Sequence, residues 1–344
     1  MSTERRKKDH LKICMEENVE SNKACFEDVN LVHNSLPELD LKEIDTTTEF
    51  LGAKLKMPLT IASMTGGTEE AKQINKDLAE IAEKKGIGFS LGSQRAMIEN
   101  PKLKETYYVR DVAPHVLLFG NVGLYQLKDF TLGKIKDALE YVGANALCVH
   151  INPSQEIFQK GGDVRFNGCI PSLKELCNEL KYPVIGKEVG FGMSRDVALK
   201  LKDAGVRAID VGGFGGTNWI VVDGLISGKD FQNFKDWGIP TPISILEAKV
   251  GLPLIATGGV RSGVDIAKSI ALGADMCGIA LPFLRILKTK GKQGVEEYID
   301  NLEKELKTAM LLTGSKNIEE LKKAKYVLSG KVKDWVEQRK LSIH

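Results

Sequence analysis

Eight short apolar runs, separated by longer amphipathic segments, constrain the fold of this chain more than any other feature. Runs of this length are typical of buried strands, and the segments between them repeat with helical spacing. We expect strands over 58–63, 88–92, 116–122, 146–152, 183–189, 208–213, 253–259 and 276–281. We expect helices over 69–85, 132–142, 172–180, 194–204, 242–250, 264–272 and 295–312. Eight alternating units predict an α/β fold, the closed (β/α)8 TIM barrel.

An open, doubly wound sheet is the alternative, and it predicts a GxGxxG turn after the first strand, which is absent. Three segments lie outside the eight units. Residues 1–57 form an irregular N-terminal extension with a weakly helical start over 5–17, and 318–340 form a helical tail. Residues 214–241 form a long loop after the sixth strand, of the kind that often serves as a lid. We therefore divide the chain into a 1–57 arm, a 58–313 barrel and a 314–344 tail.

The composition of the chain excludes several classes of function. The net charge of +2 gives no electrostatic case for binding nucleic acid or a membrane surface. No apolar run is long enough to span a bilayer, and no apolar segment follows the charged start, so we expect a cytoplasmic protein. The six cysteines form no CxxC pair, which indicates reduced and mostly buried thiols.

Polar or glycine-rich motifs follow seven of the expected strands. They are 63–67, 92–95, 120–121, 150–156, 186–188, 212–217 and 257–261. Barrel enzymes place their active sites at this end of the strands, whereas stability depends mainly on the opposite end. One polar loop alone more often caps a helix than forms a site, but seven favour a site. The 150–156 motif is the most informative, because it packs an imidazole, amides and a carboxylate into seven residues.

Two of the motifs predict an anion and a buried cation. Gly258 and Gly259 end the seventh strand just before a helix, and bare amides at a helix N-terminus favour phosphate. Ala280 ends the eighth strand and is placed to add an amide. Lys187 lies in an apolar run, where a lysine needs a partner. A salt bridge to Glu188 is disfavoured, since neighbouring side chains on a strand point to opposite sides. The basic Arg6-Lys7-x-x-His10 start is a solvated arm unless it folds over a site.

Together these motifs resemble the type 2 isopentenyl-diphosphate isomerases, which are flavin-dependent (β/α)8 barrels. The resemblance covers nearly the whole chain. It rests on Arg6-Lys7-x-x-His10, Met64-Thr65-Gly66-Gly67, Gly92-Ser93-Gln94-Arg95, Gly120-Asn121, His150-x-Asn152-x-x-Gln155-Glu156, Gly215-Gly216-Thr217-x-Trp219 and Asp236-Trp237-Gly238-Ile239-Pro240-Thr241.

The resemblance implies a role for each of these positions. FMN would contact Ser63, Met64, Thr65, Ser93, Asn121, Lys187, Thr217, Gly258, Gly259, Arg261 and Ala280. The diphosphate of the substrate would contact Arg6, Lys7, Ser93, Gln94, Arg95, His150 and Asn152, His10 would also bind the substrate, and Gln155 would lie near the reacting carbons. Gln155 and His150 are the catalytic candidates, and Glu156 would hold Mg2+ bridged to the diphosphate. The family also implies reduced FMN as the active form, NADPH as its reductant, and a homo-oligomer, either a tetramer or an octamer.

Two other functions remain open at this point. An FMN-dependent 2-hydroxy-acid oxidase needs a histidine base, yet 212–217 contains no histidine. A non-catalytic binder of phosphate ligands would leave Gln155, Glu156 and the basic arm without a role.

Overall fold

The computed structural model of the chain describes residues 3–228 and 231–342, with only the backbone at Thr3 and Glu4. Its centre is a closed barrel of parallel strands that follow each other in chain order, and the eighth strand pairs with the first. The barrel strands are Leu59–Ile61, Gly88–Ser90, Leu118–Gly123, Ala146–Ile151, Val184–Glu188, Ala208–Asp210, Leu254–Thr257 and Met276–Ile279. The predicted TIM barrel is therefore confirmed, with each strand close to its expected place.

Helices surround the barrel, and several of them begin at a capping side chain and end at a glycine. The first starts after Thr68, whose Oγ1 accepts from the Ala71 amide at 3.1 Å, and ends at Gly86 with φ 64°. The barrel helices are Glu69–Lys85, Arg95–Glu99, Leu132–Val142, Pro153–Phe158, Cys169–Glu179, Arg195–Asp203, Trp219–Ser227, Thr241–Glu247, Gly263–Leu272 and Leu281–Thr313. Within the described ranges, no helix is both long and apolar enough to cross a membrane.

The N-terminal extension is more ordered than its sequence predicts. Strands Thr48–Phe50 and Ala53–Leu55 form an antiparallel hairpin. Phe50 and Leu55 of this hairpin are buried against Phe119 and other residues inside the barrel. The hairpin thus closes the end of the barrel opposite the strand C-termini. Strands of three residues are too short to show a clear alternation, so the prediction of an irregular segment is wrong here.

The C-terminal tail also differs from the prediction of continuous helix over 318–340. Helix Ile318–Leu321 is followed by strand Tyr326–Leu328 and then by helix Gly330–Arg339. The strand pairs antiparallel with Val29–Leu31 near the other end of the chain. Its partner lies almost 300 residues away in sequence, so no local pattern marks it.

The predicted loop over 214–241 contains helix Trp219–Ser227, which Asn218 caps by accepting from the amides of Ile220 and Val221. The N-terminal helix, Thr3–Glu16, packs against it through Leu11, Cys14 and Val222. It also packs against the start of Leu281–Thr313, a helix broken at Gly291 (φ 65°). The predicted helix over 295–312 covers only the part after this break. The N-terminal helix consequently lies across the mouth of the barrel.

Candidate active site

A large cavity occupies the barrel mouth, at the C-terminal ends of the strands and beneath the N-terminal helix. Nearly all of the predicted site residues line it. They are Arg6, Lys7, His10, Ser63, Met64, Thr65, Ser93, Arg95, Asn121, His150, Asn152, Gln155, Glu156, Lys187, Thr217, Gly258, Gly259, Arg261 and Ala280. Residues more than 270 positions apart in sequence therefore face one space.

The glycines after the seventh strand form a bare backbone cradle at one end of this cavity. Gly258 and Gly259 have φ values of 107° and 77°, which side-chain-bearing residues rarely adopt. A Cβ atom on Gly259 would lie 2.7 Å from the carbonyl oxygen of Gly215. No described residue accepts a hydrogen bond from the Gly259 amide, and helix Gly263–Leu272 begins just beyond. This cradle fits a phosphate group.

Arg261 lies beside the cradle, but its side chain is engaged elsewhere. Its guanidinium pairs with the carboxylate of Glu20, and its Nη1 donates to the Val260 carbonyl at 2.7 Å. Glu20 also accepts from Nη1 of Arg285 at 3.1 Å. Arg261 therefore lines the cavity with its guanidinium paired to Glu20, and its contact with FMN stays a prediction.

Lys187 lies in the cavity wall as predicted, and its partner is an aspartate on the next strand. Its Nζ is 2.7 Å from Oδ2 of Asp210, and both side chains are buried. Glu188 points the other way, where its Oε2 accepts from the amides of the Val189–Phe191 stretch at 2.6 Å each. Burial raises the pKa of Glu188 to about 7, although these hydrogen bonds oppose the rise. The strand-alternation argument against a Lys187–Glu188 pair therefore agrees with the structure.

His150 is held as a neutral imidazole in the middle of the cavity. Its Nδ1 lies 2.8 Å from Oδ1 of Asn121, whose Nδ2 donates to Oγ of Ser63 at 3.0 Å. This arrangement assigns the proton to Nδ1 and leaves Nε2 as an acceptor. Burial, together with the charges of Lys187, Lys7 and Arg95, lowers the pKa of His150 to about 3.

The amides and the carboxylate of the 150–156 motif form one network. Asn152 Nδ2 donates to Gln155 Oε1 and to Glu156 Oε1, each at 3.1 Å. The other carboxylate oxygen, Glu156 Oε2, accepts from the amide of Asp163 at 2.8 Å. Among the described residues, no cluster of three or more His, Cys, Asp or Glu could hold a metal ion. A cation at Glu156 would therefore need further oxygen ligands from a bound substrate and water, which is common for Mg2+.

The N-terminal helix forms the roof of the cavity, and its basic side chains lie close to those of the wall. Lys7 Nζ donates to the Ser93 carbonyl at 2.8 Å, and His10 Nε2 lies 3.1 Å from Oδ1 of Asp223. Arg95, below the roof, pairs with Glu99 at 2.7 Å. Burial lowers the pKa of Arg6, and nearby Glu156 opposes this effect. The arm is therefore part of the site in this structure and is not a solvated extension.

Gln94 is the predicted site residue that the structure places outside the cavity. Its side chain is fully buried behind the wall, where Nε2 donates to the Ala138 carbonyl at 3.2 Å. Its Oε1 accepts from the Asn121 amide at 2.9 Å. The predicted contact between Gln94 and substrate is thus not supported, because the side chain points outwards from the barrel and orients Asn121 instead.

Comparison with known proteins identifies the family. An isopentenyl-diphosphate delta-isomerase of Archaeoglobus fulgidus is 48% identical over 98% of this chain and 100% of its own length. Those of Pyrococcus furiosus and Methanosarcina mazei are 44% and 42% identical, over 97% and 99% of this chain and 89% and 96% of their own lengths. Residues 12–106 and 136–328 match the FMN-dependent dehydrogenase family. The chain belongs to the isopentenyl-diphosphate delta-isomerase family, and to the broader FMN-dependent dehydrogenase family.

Solved structures with the same fold include members with other activities. A mandelate oxidase with bound (S)-2-phenylpropionate superposes with a TM-score of 0.66 at 18% identity, over 95% of this chain and 97% of that chain. A putative lactate oxidase of Pediococcus acidilactici gives 0.63 at 17%, over 96% and 88%. At this identity the likeness concerns the fold alone, so the isopentenyl-diphosphate delta-isomerase relatives carry the family assignment.

For this isopentenyl-diphosphate delta-isomerase family member, our sequence analysis missed the supporting carboxylates. Asp210 and Glu20 each hold a cation of the site in place, and Asp223 holds the ring of His10. Asp210 directly follows an apolar run on the sixth strand, and this position could have marked it. Glu20 and Asp223 have no such signal, because each meets its partner only through the folded arm.

Proposed function

We propose that the chain interconverts isopentenyl diphosphate and dimethylallyl diphosphate, with FMN in the cavity and Mg2+ at the diphosphate. One observation carries the proposal. Arg6 and Lys7 of the roof and Arg95 below it converge on the cavity wall that also holds Glu156. Several cations beside one carboxylate suit a substrate that carries a diphosphate with its bound Mg2+. The curated relatives, each named isopentenyl-diphosphate delta-isomerase, support the identity of the substrate.

The residues present fit FMN at the other end of the cavity. The Gly258-Gly259 cradle would hold its phosphate, and Lys187 would lie beside its ring. Ser63, Asn121 and Thr217 would contact the ring from neighbouring strands. When reduced, FMN supplies an electron-rich ring that stabilises positive charge and a site that gives and takes a proton. NADPH as the initial reductant, assembly into a homo-oligomer and a cytoplasmic location belong to the same proposal.

The residues of the chain bind the substrate, orient it and shield it from water. Arg6, Lys7 and Arg95 would neutralise the diphosphate, and Glu156 would hold Mg2+, which would supply further positive charge there. The amide of Gln155 cannot titrate near neutral pH, so it orients the reacting carbons or the proton path. His150 offers its neutral Nε2 as an acceptor. The roof helix excludes water, which protects positive charge that develops on the hydrocarbon.

Turnover under anaerobic conditions tests the proposal. The chain loaded with FMN and Mg2+ is given isopentenyl diphosphate with the flavin oxidised and then reduced. We expect dimethylallyl diphosphate only with reduced flavin. The absence of product in both states, together with flavin reduction by (S)-mandelate or (S)-lactate, would replace the proposal with a 2-hydroxy-acid oxidase activity.

A further inference from the structure

Tyr107 joins the arm to the barrel at a point that no sequence motif marks. It follows the 3-10 segment Pro101–Thr106 and is fully buried. Its Oη donates to the Ser93 carbonyl at 2.7 Å and accepts from Nζ of Lys7 at 2.5 Å. Lys7 Nζ also donates to the same carbonyl at 2.8 Å. Three parts of the chain thus meet at one ammonium group.

The ring of Tyr107 is held rigidly, and it accounts for a glycine in the 64–67 motif. A Cβ atom on Gly66 would lie 2.0 Å from a carbon of this ring. The adjacent Thr106 is anchored as well, since its Oγ1 accepts from the Gly67 amide at 2.9 Å and its carbonyl accepts from Asn75 at 3.1 Å. A glycine is required at position 66 to make room for the tyrosine, with no need to invoke a ligand.

This anchoring changes what Lys7 can do. A lysine has a long flexible stem, and fixing it costs conformational entropy when a ligand binds. Here two of its three N–H groups are already committed to Tyr107 and Ser93, and one remains for an anion in the cavity. Burial lowers the pKa of Lys7 to about 7; the charge of Arg6 also lowers it, and that of Glu99 opposes the shift.

We propose that Tyr107 is a positioning residue, which holds the Lys7 ammonium ready for the substrate diphosphate. The name of that substrate rests on the proposed function, but the contact itself requires only a diphosphate in the cavity. A purely structural role for the hydroxyl would predict a change in stability with no change in the diphosphate affinity.

A double-mutant cycle tests the coupling between the two residues. The full chain, loaded with oxidised FMN so that it does not turn over, is prepared as wild type, Tyr107→Phe, Lys7→Gln and the double variant. The dissociation constants of isopentenyl diphosphate and of inorganic pyrophosphate are measured with Mg2+. We expect Tyr107→Phe to weaken both by about tenfold, the loss typical of one hydrogen bond to a charged group. We expect the double variant to bind no worse than Lys7→Gln, and independent losses that multiply would overturn the proposal.

The neighbouring Tyr108 provides a matched control. Its ring packs against Tyr141 with centroids 5.7 Å apart, outside the cavity. Tyr108→Phe should therefore bind both diphosphates as the wild type does. If Tyr107→Phe does not fold, Lys7→Arg serves instead, because it keeps the charge but not the geometry. Wild-type affinity in Lys7→Arg would contradict a positioning role.

The pH dependence of the diphosphate affinity distinguishes a positioning role of Tyr107 from a purely structural one. Arg6, Glu99 and the Tyr107 hydroxyl act on Lys7, which must be charged to bind an anion, and His150 faces it as a neutral ring. The wild-type affinity should fall as the pH rises above about 7. Removing the accepting hydroxyl should move this fall to lower pH, and Lys7→Gln should abolish it. If the affinity of Tyr107→Phe fell over the same pH range as that of the wild type, the proposal would be overturned. Since pyrophosphate binding needs no turnover, an intact cycle with no isomerisation would count against the proposed function alone.

Discussion

At the scale of single residues, His150 shows how its surroundings decide the chemistry of a side chain. An imidazole in a strongly cationic site could act as a charged donor to a diphosphate. Burial and the neighbouring Lys187 and Lys7 instead favour the neutral form, and Asn121 selects the tautomer. The residue therefore enters the site as an acceptor, and the positive charge comes from the surrounding lysines and arginines.

We predict that His150 does not titrate between pH 5 and 8 in the ligand-free chain. Its pKa of about 3 lies below the usual value, so the folded state resists protonation. Its contribution to stability is complete above the unfolded pKa of about 6.5 and is lost as the pH falls towards 3. Nitrogen NMR of labelled histidines should show a neutral ring protonated at Nδ1, and His150→Gln identifies the signal. Proton uptake with a midpoint near 6.5 would contradict this account.

Glu156→Gln should weaken isopentenyl diphosphate binding in the presence of Mg2+ by at least tenfold, because an amide oxygen is a poorer Mg2+ ligand than a carboxylate. FMN affinity should stay within about twofold, since Glu156 lies away from the glycine cradle. Titration of both ligands measures this, with the exposed Glu179→Gln as the control. Loss of FMN in Glu156→Gln would show that the two sites are not separate.

The residues that line the cavity could be predicted, because they follow strands in recognisable motifs. The residues that hold these side chains in place could not be predicted from the sequence. Tyr107 and Glu20 act on site residues that lie 100 and 241 positions away in sequence. Gln94 lies within a motif, yet it points behind the wall, because the backbone turns between it and Ser93. A motif gives the position of a residue but not the direction of its side chain.

At the scale of elements, the arm is the feature on which the site most depends. Arg285 donates to the carbonyls of Cys14 and Glu17 at the end of the N-terminal helix, and it also reaches Glu20. Backbone hydrogen bonds join Ser21 to Gly216 and Asn218 to Val19. The stretch that follows the N-terminal helix is therefore fixed beside the glycine cradle, and the helix itself lies over the cavity.

Glu20→Gln should loosen this attachment, because the neutral amide leaves the charges of Arg261 and Arg285 without a counter-ion. We expect the 1–18 segment of the FMN-free chain to be cleaved several-fold faster by trypsin, with the barrel intact. Mass spectrometry of the fragments provides the rate. Glu17→Gln is the control, since its exposed side chain takes no part in the pair. Equal cleavage rates in Glu20→Gln and wild type would show that Glu20 does not hold this segment in place.

The elements that sequence analysis missed are short, and the strand in the tail is also paired over a long distance. The eight barrel strands repeat one pattern, so they support one another in a prediction. The hairpin at the base of the barrel and the strand Tyr326–Leu328 have three residues per strand. The strand character of Tyr326–Leu328 comes from a partner that only the folded chain brings close, whereas the two hairpin strands are neighbours in sequence.

At the scale of the whole molecule, the tail is attached to the barrel through one buried carboxylate. Glu247 is fully buried and accepts from Trp335 Nε1 at 2.8 Å and Arg339 Nε at 2.9 Å. The amide of Arg195 donates to its other oxygen at 2.8 Å. Burial alone would raise the pKa of Glu247, but these hydrogen bonds lower it overall. The carboxylate thus links the tail to two barrel helices.

Glu247→Gln should lower the free energy of unfolding by about 1–3 kcal/mol, the range for disrupting a buried hydrogen-bonded group. Because its pKa is lowered on folding, the contribution of Glu247 is complete above the unfolded value near 4.3 and is lost as the pH falls below it. Urea unfolding at pH 7 measures the effect. Glu337→Gln, on the exposed face of the tail helix Gly330–Arg339, should change the free energy little, because its partner Lys333 lies 3.8 Å away in solvent.

The central claim is that this cavity moves a proton without net oxidation. The most direct measurement is turnover of isopentenyl diphosphate in D2O by the chain loaded with reduced FMN and Mg2+, with the flavin spectrum followed throughout. We predict dimethylallyl diphosphate that carries deuterium in a methyl group, and a flavin that is still fully reduced at the end. Product without deuterium, or one flavin oxidised for each molecule formed, would contradict the account.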